Sequence, residues 1–216
     1  DLQNWPAFEL RASLLSESVR LHLSIDGLFL DLRSFQLLFQ ELLALYHGQE
    51  WHSESPSLSF QDYVINLERR HESHAHKIAQ RFWRNRLPRL APAPHLPLVQ
   101  DPASLTQACM RRREYRLSAA SWQSIVRYAA ELGITTAAVL LTAYGKVLSR
   151  WSQEQSLSIN VPLFNRPSQY PELAQVIGNF STFTLVAMEF HQSRSFIDEA
   201  REVQHTLHQA IEHSQM

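Results

Sequence analysis

Glycine is scarce in this chain, with five residues in 216, about 2% where about 7% is usual. Neither phosphate-cradling pattern, G-x-G-x-x-G or G-x-x-x-x-G-K-[ST], occurs, and the G-x-S-x-G turn that exposes a nucleophilic serine is absent. The one cysteine, Cys109, forbids an internal disulfide and fits a reducing compartment. No local context marks it as a nucleophile, so it reads as structural. No charge of one sign predominates: 20 Lys+Arg face 21 Asp+Glu, a net −1 that gives nucleic acid no electrostatic footing. No apolar run reaches the roughly 18 residues of a membrane span, and no signal-peptide pattern opens the chain. The chain begins at Asp1 rather than Met, so a piece of something longer is expected. What is present is a globular composition, 44% hydrophobic and 19% charged, unlike a disordered, collagenous or disulfide-stapled chain.

Periodicity sets the elements. Val19, Leu21, Leu23 and Ile25 alternate with Arg20, His22 and Ser24, the period of a half-buried strand running into the turn signal Asp26-Gly27. Ser34 is then expected to cap an amphipathic helix through Phe35, Leu38, Phe39, Leu42, Leu43 and Leu45 that ends at Gly48. Residues 52–59, rich in Ser, read as a loop. Residues 60–87 read as helix, stopped by Pro88. Four prolines within residues 87–98 favour an extended crossing, where a lobe boundary is expected. Beyond it the pattern predicts a strand over 113–117 and a helix capped by Ser118 or Ser121 and closed by Gly133. A strongly apolar helix follows over 136–151, then strands over 157–164 and 182–190, and a last helix over 196–213. Strands and helices are mixed without a regular βαβ period, so a doubly wound sheet is not expected.

Most clusters of reactive residue types read as surface. His71, His74 and His76 are spaced three and two, which does not converge three imidazoles on one ion, and Arg111, Arg112 and Arg113 read as a solvated edge. The stretch after the first strand differs. Asp26 and Asp31 flank Gly27-Leu28-Phe29-Leu30, and three apolar residues between two carboxylates suggest a partly dry loop in which each acid needs a partner. The bland reading is a pair of helix-entry aspartates. Arg166, leaving the apolar strand V-P-L-F-N and followed by Pro167, has the fork geometry to pair a buried carboxylate bidentately, although an Arg at a strand end is ordinarily a surface residue.

Four stretches, in order along the chain, carry a family resemblance. They are D-G-L-F-L-D-L-R-S with Asp26, Asp31 and Ser34; L-A-P-A-P-H-L-P-L over residues 90–98; the spacing Thr135, Ala137, Leu141, Leu148, Trp151; and Gly178-Asn179-Phe180-Ser181. Together they resemble the heterocyclization domain of nonribosomal peptide synthetases, a relative of the condensation domain. The corresponding family patterns are D-x-x-x-x-D-x-x-S, L-P-x-x-P-x-L-P-L, T-x-[PA]-x3-L-x6-L-x-x-W and G-D-F-T. Ala91 replaces a Pro, and Asn179 and Ser181 replace the Asp and Thr of the last.

The resemblance implies a mixed α/β chloramphenicol-acetyltransferase-like fold of two lobes meeting at a tunnel, present here in part. Residues 1–100 would be the latter part of the amino-terminal lobe and 101–216 the first part of the carboxy-terminal lobe. It implies amide formation between a carrier-bound acyl thioester and Cys, Ser or Thr, then cyclodehydration to a thiazoline or oxazoline, as in siderophore biosynthesis. No cofactor is bound directly; the substrates ride on phosphopantetheine arms. The partners implied are upstream and downstream carrier proteins, a neighbouring adenylation domain and the remainder of the same domain, in the cytoplasm, without nucleic acid or membrane.

By the same resemblance Asp26 and Asp31 are the candidate catalytic carboxylates, and Gly27 stands where condensation domains carry their catalytic His. Asp31 and Arg166 would pair across the lobe boundary, with Ser34, Asn179 and Ser181 as motif residues. The family's later S-Q-T-P-Q-V-x-L-D stretch, whose Thr and Asp the resemblance links to cyclodehydration, does not occur, so these residues alone are expected to be inactive. The rival readings are an amide-forming condensation domain without cyclization, a non-catalytic scaffold segment, and a coenzyme-A-dependent acyltransferase, whose usual His is missing here.

Overall fold

The computed structural model describes residues 8–49, 56–107, 109, 111–164, 166 and 170–214. Pro167 and part of the expected 52–59 loop lie outside them. The chain gathers into two units, Asp1–His74 with Pro162–Phe183, and Ala75–Val161 with Thr184–Met216.

In the first unit the alternating run forms strand β2, Val19–Ile25, antiparallel to β1, Phe8–Leu14, which is not among the elements expected above. Register runs from Phe8 opposite Ile25 to Leu14 opposite Val19, and the turn closes with Leu15 N–H donating to Ser18 O at 2.8 Å. The signal for β1 was present: Phe8, Leu10, Ala12 and Leu14 alternate with Glu9, Arg11 and Ser13. Helix α1 spans Leu32–Tyr46, and its cap is Asp31, not Ser34. The Asp31 carboxylate accepts the Ser34 N–H at 2.7 Å, which leaves the Ser34 hydroxyl for a longer-range task.

The expected helix over 60–87 is two. Helix α2, Phe60–Arg69, begins with a capping box in which Ser59 and Asp62 satisfy each other's backbone N–H. A 3-10 turn, Arg70–Glu72, and an extended Ser73 at ψ 155° separate it from α3, His74–Arg86. No proline or glycine marks this break. The unit's core is small and aromatic: Leu173, Val176 and Phe180, packed against Leu58, Phe60, Tyr63 and Tyr170.

The second unit holds the larger core. Helices α4, Ala119–Glu131, α5, Thr136–Ser152, and α6, Phe196–Glu212, follow the predicted periodicity, with Ser118 capping α4 and Gly133 at φ +68° ending it. Gln204 staples the α4–α5 corner by donating to Gly133 O and accepting from Thr135 N–H. Strands β3, Ser156–Phe164, and β4, Ser181–Glu189, pair in a two-stranded sheet; the chain enters the first unit at Pro162 and leaves it at Thr184. Leu157 and Val186, both inaccessible to solvent, pack with Trp83, Leu148, Met188, Phe190, Val203 and Leu207.

The proline-rich segment lies within this second unit, where Pro92 O accepts the Ser158 N–H at 3.0 Å. The strand expected over 113–117 does not form. Every residue there is exposed, and among the described residues no strand lies beside it to complete a ladder. No single helix among the described residues is long and apolar enough to cross a membrane.

Candidate functional site

The first unit brings residues 26–34 together with Arg166 and residues 170–181. The turn after β2 is built on Asp26: its backbone O accepts the Phe29 N–H at 3.1 Å, and its Oδ1 accepts the Leu28 N–H at 3.0 Å. This geometry points Leu28 and Phe29 outward, at 62% and 52% exposure, and leaves Asp26 half-buried. The expected dry loop between the two carboxylates is therefore not what the apolar residues form. Only Asp31 is buried, at 4% exposure.

Asp31 is held from several directions. Its own N–H donates to Gly178 O at 3.2 Å, and its Oδ1 accepts from Ser34 N at 2.7 Å and from Arg166 Nη2 at 2.9 Å. Both members of that pair fall in the first unit, Asp31 before its interruption and Arg166 after it. The pair is joined by a single hydrogen bond rather than a fork: Arg166 Nη1 goes to the carbonyls of Leu173 and Val176, and neither Arg166 Nε nor Asp31 Oδ2 makes a hydrogen bond. Arg166 Nη2 also reaches Ser34 Oγ at 2.8 Å, and the guanidinium lies 4.2 Å over the centre of the Phe180 ring. Arg166 thus closes the 3-10 turn at Pro171–Gln175, the head of α1 and the aromatic core with one side chain. Burial would raise the Asp31 pKa, but the Ser34 N–H and the Arg166 guanidinium prevail and hold it below 3.8. Asp31 is accordingly ionised at neutral pH, an anion fixed in place rather than an acid poised to give up a proton.

Gly178 is required by a close approach. A Cβ there would stand 2.3 Å from Phe60 Cδ2, inside the Phe60–Phe180 edge-to-face pair with centroids 5.1 Å apart. Asn179, the next residue, donates from Nδ2 to Gly27 O at 2.9 Å and accepts the Ser181 N–H at its Oδ1 at 3.0 Å. Every sequence-named site residue thus falls in this corner. The backbone acceptors Leu173 O, Val176 O and Gly178 O, which complete it, were not foreseen.

Elsewhere Cys109 is exposed, and among the described residues no three His, Cys, Asp or Glu side chains converge as metal ligands. A second buried charge, Glu199, was also missed. It is solvent-inaccessible, ion-paired to Lys146 and hydrogen-bonded to the His191 N–H at 3.2 Å. Its signal was an acid in the first turn of α6 beside the core residues Ala200 and Val203.

Comparison with known proteins identifies the family. The Condensation domain family matches residues 1–216. Pyochelin synthetase PchE of Pseudomonas aeruginosa is 37% identical over 204 residues, covering 90% of this chain and 14% of the synthetase. Phenyloxazoline synthase MbtB of Mycobacterium bovis is 30% identical over 212 residues, covering 96% of this chain and 15% of that protein. The crystal structure of the EpoB cyclization-docking bidomain from Sorangium cellulosum superposes with TM-score 0.91 at 32% identity, covering 99% of this chain and 43% of that one. The chain therefore spans about one seventh of the length of these two curated relatives and under half of the solved bidomain. It belongs to the condensation-domain family of nonribosomal peptide synthetases, as a part-length domain similar to the family's cyclization members.

Proposed function

We propose that this chain is part of a heterocyclization domain. In the complete synthetase it joins a carrier-bound acyl or peptidyl thioester to a carrier-bound Cys, Ser or Thr and cyclodehydrates the product to a thiazoline or oxazoline. The observation that carries the reading is the corner at residues 26–34. Asp26 stands half-buried at the end of β2 and Asp31 is clamped by Arg166; by the resemblance, Gly27 stands where condensation domains carry their histidine. The names of the relatives support it, a phenyloxazoline synthase and a cyclization bidomain among them.

In the first step the amine nitrogen attacks the thioester carbonyl, the C–N bond forms, the C–S bond breaks and the released thiol takes a proton. Two tethered arms make this step effectively intramolecular, so positioning supplies most of its acceleration. In the second, the side-chain sulfur or oxygen attacks the new amide carbonyl, and water departs as the C=N bond forms. That step moves protons on and off oxygen and nitrogen, the work of a positioned carboxylate. Asp26 is the carboxylate these residues offer for part of it, beside the Thr and Asp that the resemblance places in the later stretch. Asp31 orders the corner and takes no proton. Substrates arrive on phosphopantetheine arms of upstream and downstream carrier proteins beside an adenylation domain, in a cytoplasmic assembly line. The division at residue 100 is the proposed lobe limit in the complete domain.

The test is the intact synthetase supplied with donor thioester and cysteine-loaded carrier, with product read by intact mass. Loss of one water beyond amide formation is expected, and Asp26→Ala should reduce the cyclised product while the melting midpoint stays within a degree or so. An uncyclised amide as the sole product overturns the reading in favour of simple condensation.

A further inference from the structure

Asn179 stands where the family stretch carries Asp, and the structure gives the difference a use. Its side chain meets two backbone groups of opposite character: Gly27 C=O, which only accepts, and Ser181 N–H, which only donates. These two neighbours fix the amide orientation, with Nδ2 toward Gly27 and Oδ1 toward Ser181. An ionised Asp of the same shape keeps the bond to Ser181 but has no proton for Gly27, and sets a negative oxygen against a carbonyl oxygen. Gly27 is the residue after Asp26 in the Asp26–Phe29 turn, so its carbonyl orientation and the Asp26 carboxylate orientation are set by the same backbone.

We infer that Asn179 is a positioning residue: it latches the Gly27 carbonyl and so aims Asp26, through a donor that does not titrate. The charged groups about this corner are Asp26 on the turn, Asp31 at the head of α1 and Arg166 over Phe180, and the last two are bound to each other. None of them supplies the proton that Gly27 O accepts. The structural part of the inference stands by itself; its consequence for turnover rests on the function proposed above.

The test is Asn179→Asp in the intact protein, isosteric but at pH 7 without the donor and with a negative charge, read by amide exchange of a peptide covering residues 26–30. Wild type runs through the same pH series to remove the contributions of Asp26 and Asp31. At pH 7 protection of this peptide should fall about fivefold, the worth of one hydrogen bond. Below about pH 4 the new carboxyl is protonated, regains a donor, and protection should return toward wild type. Asn179→Ala, which loses both bonds, should be deprotected at both pH values. Unchanged protection of Asn179→Asp at pH 7 overturns the latch, and so does a loss that persists in acid as it does for Asn179→Ala. In turnover assays Asn179→Asp should lower kcat several-fold and leave KM for the carrier-bound substrates unchanged. An opened turn with wild-type kcat overturns the aiming of Asp26. If wild type itself makes no cyclised product, the proposed function fails, while the exchange experiment still decides the latch.

Discussion

The Ser34 hydroxyl bridges both backbone groups of Gly178: it donates to Gly178 O at 2.8 Å and accepts from Gly178 N at 3.0 Å. Its second lone pair takes the Arg166 Nη2 donor, so a buried hydroxyl with one proton and two lone pairs has three partners. Two segments 144 residues apart are joined at this atom. Ser34→Ala leaves the buried Gly178 N–H without its acceptor, while Gly178 O keeps the Asp31 N–H, and should cost about 1–3 kcal/mol by chemical denaturation.

Arg166→Ala removes the cation from Asp31 and the donors from two carbonyls, and should cost about 3–5 kcal/mol. Arg166→Lys keeps the charge but not the fork, and cannot serve Asp31, Ser34, Leu173 and Val176 at once. It should recover less than half of the loss. A Lys variant as stable as wild type would show that charge alone holds the corner.

Acid should loosen the same corner. Because the folded Asp31 pKa lies below its unfolded value of 3.8, its contribution to stability is complete above that value and is lost as pH falls through the folded one. Asp31→Asn should therefore be less stable than wild type at neutral pH, with the gap narrowing below pH 3.8. Asp62, lowered by its capping bonds to Ser59, titrates in the same direction in both proteins, so the difference curve isolates Asp31.

Gly178→Ala introduces a Cβ against the Phe60 ring and should destabilise by about 1–3 kcal/mol. Phe60→Leu in the same chain should relieve part of that cost, giving a non-additive pair by thermal or chemical unfolding.

Lys146→Met strands the inaccessible Glu199 carboxylate and should cost about 3 kcal/mol. Adding Glu199→Gln, which keeps the acceptor for His191 N–H, should return most of it. If the double variant is no better than the single, the penalty comes from packing and not from the unpaired charge.

The parts of this structure with strong periodicity were legible. The alternation at Val19–Ile25 and the apolar stripes of α4, α5 and α6 give elements within a few residues of those observed. Both members of the Asp31–Arg166 contact could be named because the family resemblance pairs the two positions; the residues alone left a helix-entry aspartate and a surface arginine open as readings. Their supporting shell could not, since Leu173 O, Val176 O and Gly178 O are backbone atoms, identical at every residue. The α2–α3 break was hidden for a related reason: Ser73 takes an extended ψ with no Pro or Gly to announce it. The cap of α1 was assigned three residues late because Ser34 and Asp31 both qualify by type, and only the engagement of the Ser34 hydroxyl with Gly178 decides between them. Leu28 and Phe29 misled in the opposite sense, since a tight turn exposes apolar side chains that composition alone would bury.

The first unit is discontinuous, interrupted between His74 and Pro162, and this fixes an order in time during synthesis. When α1 has been made, Asp31 has no cation and Phe60 has no Phe180; Arg166 follows Asp31 by 135 residues. At a translation rate of 5–20 residues per second, that interval is roughly 7–27 s. For that long the Asp31 carboxylate waits for the cation that the finished unit sets beside it. The last residues of the unit to be synthesised include Leu173, Val176 and Phe180, the buried members of its core.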